Sequence, residues 1–145
     1  VRNTAPATGL PVELRTTLAP LLGEDLDALE RSLEGPSPVS IRVNPYKPFR
    51  PVAERVPWCA SGYYLPERPA FTFDPLLHAG AYYVQEASSM LLEPVLKATG
   101  MLPHDLVALD LCAAPGGKTT HLRGLLTPGS LLVANEVDRR RATIL

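Results

Sequence analysis

Val107-Ala-Leu-Asp-Leu-Cys-Ala-Ala-Pro-Gly-Gly-Lys-Thr-Thr-His121 is the stretch whose reading decides the fold. An apolar run, Val107 to Leu111, ends in a cluster of small residues and two glycines. A segment with Thr119, Leu122 and Leu126 at helical spacing follows at once. This order predicts a strand over 106–111, a loop over 112–117 and a helix over 118–126, the layout an α/β sheet uses to seat a ligand at its carboxyl edge. Glycine and alanine allow close backbone approach, and Gly116 and Gly117 permit positive φ. The first turn of the helix offers unpaired N–H groups and a partial positive charge.

Three readings of the loop compete. A phosphate-binding loop of the form G-x-x-x-x-G-K-[ST] matches at Gly117, Lys118 and Thr119. Cys112, however, replaces its first glycine, and Pro115 removes one backbone donor. A nucleoside-cofactor site of Rossmann type instead wants an acid at the end of the next strand, about 20 residues on, to accept from the ribose hydroxyls. Leu131 to Asn135 predicts that strand, and Glu136 stands 19 positions after Gly117. The glycines of a dinucleotide fingerprint are missing, so a cofactor without phosphate suits the loop better. S-adenosylmethionine pairs a ribose with a carboxylate that can sit by a helix N-terminus. The third reading is structural: small residues let strand and helix pack closely, and Glu136 is a solvated acid.

Outward from this unit, Thr127-Pro-Gly-Ser130 predicts a turn, and a helix is expected from near Asp138 with Arg139, Arg140 and Arg141 at its start. Towards the N-terminus, Val12, Leu14, Leu18, Leu21 and Leu22 share one helix face, which Pro20 should end or kink. Leu26, Leu29 and Leu33 line a second helix closed by Gly35-Pro36, with Gly35 as the C-cap. Val39, Ile41 and Val43 alternate with polar residues as in a half-buried strand. Pro45 to Pro57 reads as irregular, with Gly62–Leu65 and Ala81–Val84 as further short strands. Pro75–His78 predicts one helical turn. Glu86 to Thr99 predicts a helix burying Met90, Leu91, Val95 and Leu96 and bent at Pro94.

Composition sets outer bounds. The 145 residues have a net charge of −1, so nucleic-acid contact would have to come from a local patch. Arg42, Lys47, Arg50 and Arg55, interleaved with Tyr46 and Phe49, offer one such patch. A solvated loop with its aromatics tucked inward is the reading favoured for it. No apolar run reaches membrane-spanning length and no charged-then-apolar leader opens the chain, so the expected compartment is the cytoplasm. The two cysteines, Cys59 and Cys112, are too few and too isolated to predict a zinc site. The three histidines have no partner spacing, so no metal ligand is proposed from the sequence. Beginning without Met and stopping inside an expected helix, the chain reads as a piece of a longer protein.

Asp110-Leu-Cys-Ala-Ala-Pro-Gly-Gly-Lys-Thr-Thr120 resembles the cofactor motif of the Nop/Sun family of RNA 5-methylcytosine methyltransferases. Ser40-Ile-Arg-Val-Asn44, Val56-Pro-Trp-Cys59, Gly62-Tyr-Tyr64 and Tyr83-Val-Gln-Glu-Ala-Ser-Ser-Met90 are similar to successive landmarks of its bacterial ribosomal RNA branch. Leu132-Val-Ala-Asn-Glu136 resembles its second strand and ribose-binding acid. The resemblance implies an α/β chain: an N-terminal α+β accessory or RNA-binding region over residues 1–80, then over 81–145 the first part of a Rossmann-like S-adenosyl-L-methionine-dependent methyltransferase domain. It implies RNA, ribosomal by the branch, as substrate, and cofactor binding by Cys112, Ala113, Ala114, Pro115, Gly116, Gly117 and Lys118, with Glu136 on the ribose. Gln85-Glu-Ala-Ser-Ser89 would pack beside the cofactor pocket. In such enzymes a cysteine thiolate adds to carbon 6 of cytosine so that carbon 5 can accept the methyl group. The family carries those cysteines in Pro-Cys and Thr-Cys motifs that do not occur here. No catalytic residue is therefore assigned: Cys112 is expected to be a packing residue, Cys59 a buried small one, and the 145 residues alone to be inactive. The resemblance leaves two rivals, a P-loop nucleotide-binding protein and a non-catalytic RNA-binding module. The unpaired edge of a partial sheet predicts self-association.

Overall fold

The computed structural model describes residues 9–145. They form two compact units that meet at Ser37 and Pro38. The first is a helical hairpin, α1 (Val12–Leu22) and α2 (Leu26–Glu34), joined by a single 3-10 turn. Arg15 on α1 reaches Asp27 at 2.8 Å and Glu30 at 3.0 Å on α2. These pairs are exposed and contribute at most about 1 kcal/mol each. α1 continues two residues past Pro20 and stops at Gly23, whose φ is +54°. Proline this close to a helix end forfeits only one N–H bond. The apolar stripe predicted to bury on α1 is instead open, with no residue of the helix buried. Gly35 is the C-cap of α2 as expected, in an extended conformation with φ −76° and ψ 168°.

The second unit holds two sheets. Four antiparallel strands run in the order β2 (Glu54–Arg55), β3 (Gly62–Leu65), β1 (Val39–Val43), β4 (Tyr82–Val84). The strand just past the expected boundary at residue 80 thus pairs with β1, Arg42 opposite Tyr83. Because β1 is flanked on both sides and covered on both faces, its polar residues Ser40 and Arg42 are as buried as Ile41 and Val43, and the half-buried alternation predicted for it does not hold. β2, within the segment read as irregular, is two residues long and has no pattern to betray it.

Across β3, β1 and β4 runs a core of Ile41, Val43, Tyr63, Ala81 and Tyr82, with Phe49, Leu65 and Phe71 packed against it. A second core joins Val56, Cys59, Ala87 and Met90. Here the turn 56–62 closes tightly: a Cβ on Gly62 would lie 2.7 Å from the Met90 sulfur and 2.9 Å from Val56 Cβ. One helical turn, α3 (Pro75–His78), is capped by Asp74, whose side chain accepts from Leu76 N.

The segment predicted as one helix over 86–99 is a 3-10 turn, Ala87–Leu91, followed by α4 (Leu92–Ala98). Pro94 falls in the first turn of α4, where its N–H would be unused anyway, so it starts the helix and does not bend it. The face turned inward carries Met90 and Glu93, whereas Leu91 and Val95, expected to be buried, are exposed. The second sheet pairs β5 (Val107–Asp110) in parallel with β6 (Leu131–Ala134), Val107 opposite Leu131 through Asp110 opposite Ala134. Between them runs α5 (Gly117–Leu125), and after β6 comes α6 (Arg139–Ala142), capped by the Asp138 carboxylate. β6 was predicted to be buried, yet Leu131 and Val133 are exposed, as are Val107 and Leu109 of β5. No helix of the described residues is long and apolar enough to cross a membrane.

Two predictions follow from this packing. Gly62→Ala must displace Met90 or Val56, and in the full-length protein it should cost about 1–3 kcal/mol in urea unfolding. The Tyr82 phenol is pushed up to about 12 by burial and by the Asp74 carboxylate that accepts its proton at 2.5 Å. An unfolded tyrosine titrates near about 10, so the stability this pair contributes is complete below that pH and is lost as pH rises through 12. Phenolate absorbance should show a late component near that pH which Tyr82→Phe lacks.

Candidate cofactor site

The loop that joins β5 to α5 is built from its own backbone. Cys112 N–H donates to Asp110 Oδ1 at 3.3 Å, Ala113 N–H to the Asn135 carbonyl at 2.8 Å, and Gly116 N–H to the Ala113 carbonyl at 2.8 Å. The Ala114–Pro115 peptide is cis. Gly116 sits at φ +102°, a conformation that favours glycine, and from there the chain enters α5. Thr119 on the first turn of α5 donates to Asp110 Oδ2 at 2.6 Å, so the last residue of β5 clamps both the loop and the helix that follows.

This bonding weighs against a phosphate-binding loop. A P-loop aims successive free N–H groups at phosphate. Here the N–H groups of Cys112, Ala113 and Gly116 are already engaged, and Pro115 has none.

Cys112, Ala113, Ala114, Pro115, Gly117 and Lys118 line one side of a cavity of about 230 Å³. Tyr83, Val84, Gln85, Glu86 and Ser89 line the other. Ala113 and Ala114 are buried, bringing their backbone close to the cavity floor. Cys112, expected to be a packing residue, is exposed, because its side chain leaves the strand end on the open side of the loop. Lys118 is exposed at the rim.

Glu136 is not a solvated acid. Its side chain is only 3 % exposed, Oε1 accepts from Asp138 N–H at 3.0 Å, and Oε2 is buried without a hydrogen bond. Arg141 Nη1 lies 3.5 Å from that oxygen while its Nη2 donates to the Ala114 carbonyl. One arginine of α6 thereby links the loop to the acid after β6.

The wall and the loop are held together by Arg42, which the sequence had grouped with a surface patch. It is 3 % exposed and lies in the interior. Its Nε donates to Gln85 Oε1 at 2.8 Å, and its Nη2 to Thr120 Oγ1 at 2.6 Å and to the Gly117 carbonyl at 3.2 Å. Burial lowers the guanidinium to about 10, still charged at neutral pH. Tyr83 adds a second tie, its hydroxyl donating to the Pro115 carbonyl at 3.0 Å, and its ring lies 3.3 Å from where a Cβ on Gly117 would stand. None of Asp110, Arg42, Tyr83 and Thr119 was given a role in the cofactor site from sequence. Only Asp110 carried a local signal, an acid closing an apolar strand before the small-residue loop.

An antiparallel α+β region followed by a parallel β-α-β unit with this loop defines the class: an N-terminal region and the first part of a methyltransferase domain. The fold is shared with the crystal structure of PH0851, with a TM-score of 0.73 at 24 % identity over 99 % of this chain and 37 % of that one. It is shared also with a methyltransferase homolog protein from Pyrococcus horikoshii, with a TM-score of 0.63 at 30 % identity over 92 % of this chain and 51 % of that one. Residues 10–87 match the family described as the N-terminal domain of 16S rRNA methyltransferase RsmF, and residues 98–145 match 16S rRNA methyltransferase RsmB/F. The chain belongs to the RsmF family.

Ribosomal RNA small subunit methyltransferase F of Aeromonas salmonicida is 35 % identical over 83 % of this chain. Its counterpart in Pectobacterium atrosepticum is 32 % identical over 94 %. The chain spans 28 % and 31 % of the length of these two curated relatives.

Arg42→Ala should strip Gln85 and Thr120 of a charged donor and leave buried acceptors unmet. In chemical denaturation of the full-length protein we expect a loss of roughly 2–4 kcal/mol. Arg42→Lys should recover only part of it, because an ammonium cannot span all three acceptors in a plane.

Proposed function

We propose that this chain is the cofactor-holding part of an S-adenosyl-L-methionine-dependent methyltransferase that modifies carbon 5 of cytosine in small-subunit ribosomal RNA. The observation that carries the reading is the pairing of a closed, phosphate-unfriendly loop with a buried acid at the end of the next strand. The residues suit the ligand. Glu136 Oε2 is a buried acceptor with no hydrogen bond, as a ribose hydroxyl requires. The cavity between Cys112–Lys118 and Tyr83–Ser89 is small and partly polar, as the methionine portion requires.

In this reading Cys112, Ala113, Ala114, Pro115, Gly116, Gly117 and Lys118 surround the methionine end, and Glu136 orients the ribose. The bound cofactor would supply an electrophilic methyl group. The chain's own part is to fix that group's position: Arg42 and Tyr83 hold the loop against the Gln85–Ser89 wall, and Asp110 fixes the start of α5. No catalytic residue is assigned here. Cys59 is buried in the second core, and Cys112 belongs to the cofactor loop. Residues up to about 80 would serve as the accessory region towards RNA, with Lys47, Arg50 and Arg55 still available as cations once Arg42 is withdrawn inside.

Calorimetry on the full-length protein tests the reading. S-adenosylhomocysteine should bind, and Glu136→Ala should weaken it roughly ten- to a hundredfold, the worth of hydrogen bonds to a charged acceptor, with the melting temperature little changed. Binding of magnesium–ATP without binding of S-adenosylhomocysteine would sink it. Transfer of labelled methyl to small-subunit RNA separates the enzyme from a non-catalytic RNA-binding module.

A further inference from the structure

Cys59, Glu93 and His121 are far apart in sequence and belong to no site described above. They come from three elements: the turn before β3, α4 and α5. Their side chains meet in the interior, with Cys59 2 %, Glu93 2 % and His121 1 % exposed. Cys59 Sγ lies 3.8 Å from His121 Nε2, and Glu93 Oε2 lies 3.5 Å from the same nitrogen. One ligand atom from each residue falls within 4.8 Å of the other two. Ligands on a tetrahedral zinc ion, at bond lengths of about 2.0–2.3 Å, sit roughly 3.3–3.6 Å from one another, so the sulfur and carboxylate distances to Nε2 need only a few tenths of an ångström of adjustment.

Hydrogen bonding alone satisfies this arrangement poorly. Sulfur and carboxylate both converge on Nε2, which can donate a single proton, while Nδ1 is buried with no partner among the described residues. A proton on Nε2 can therefore serve only one of these two neighbours, and a proton on Nδ1 has no acceptor among the described residues. With the proton on Nδ1, three electron-rich atoms face a common point. The rest of the carboxylate is already placed: Lys97 Nζ holds Glu93 Oε1 at 2.5 Å, and Ala60 N–H donates to Oε2 at 3.2 Å, leaving the second lone pair of that oxygen towards the histidine. A cavity of about 310 Å³ reaches Glu93 and His121 from one side, and another of about 410 Å³ reaches Cys59 and Glu93 from the other.

We propose that Cys59, Glu93 and His121 form a binding site for one divalent metal ion of the zinc class. A thiolate, an imidazole and a carboxylate are the donor types that borderline-soft ions select over magnesium or calcium. Binding forms the sulfur–metal bond and releases the Cys59 thiol proton to solvent. Three protein ligands leave a fourth position for water. The ion fastens the turn ahead of β3 to α4 and α5, independently of the cofactor reading.

Cobalt is the probe. Metal-stripped full-length protein titrated with Co²⁺ should develop thiolate-to-cobalt charge-transfer absorption that saturates at one equivalent and is displaced by Zn²⁺. Cys59→Ser and His121→Gln should each abolish the band, and Cys112→Ser should leave it intact. Absence of the band in the wild type, or its survival in Cys59→Ser, overturns the proposal. If both variants fail to fold by circular dichroism, peptide-mapped alkylation of the wild type in mild urea decides. Zinc at 100 times its dissociation constant should slow modification of Cys59 about a hundredfold and leave Cys112 unaffected, and equal rates at Cys59 with and without zinc overturn the proposal.

Discussion

A single buried guanidinium ties the two sheets of the second unit into one site. Arg42 lies on the central strand of the antiparallel sheet, yet its three hydrogen bonds end on the cofactor-cavity wall at Gln85 and on the first turn of α5. An unpaired charge at that depth would cost several kcal/mol, so the fold is constrained to bring acceptors to it. That requirement sets the spacing between the accessory sheet and the parallel unit. The cavity between Gln85–Ser89 and the loop is what that spacing leaves open.

The loop itself obeys a related constraint. A binding turn at a sheet edge must be rigid without filling the space it guards. Here rigidity comes from backbone bonds and from Asp110, which accepts from both Cys112 N–H and Thr119 Oγ1. Openness comes from alanines and glycines whose side chains occupy almost nothing. Spending the N–H groups of Cys112, Ala113 and Gly116 inward makes the turn a poor phosphate cradle. Glu136, buried and half-satisfied, completes the complement on the neighbouring strand. Arg141 couples the two halves by touching both Glu136 and the Ala114 carbonyl.

Local periodicity and turn chemistry made much of this legible. The β5–loop–α5–β6 order, the hairpin of α1 and α2, the short strands and Glu136 at the end of β6 could all be read from residue pattern. Predictions that depended on what covers a surface failed. Leu91 and Val95 have the right period for burial, but apart from Met90, which is buried as predicted, the residue turned inward is Glu93. Pro94 looked like a kink because the start of the α-helix could not be placed within 86–99. Arg42 looked like surface because charged residues usually are, and nothing on β1 announces that both faces are covered.

The sequence by itself determined the class of the fold and the strand–loop–helix unit at its centre. Strand, small-residue turn, helix start and strand-end acid are short-range patterns that lie within 30 residues of one another. Only the tertiary structure decided which polar groups are buried and which meet. Arg42 with Thr120, Tyr83 with Pro115, and the trio of Cys59, Glu93 and His121 join residues 28 to 78 positions apart. Such contacts arise from the crossing of elements in space, for which the chain carries no local pattern.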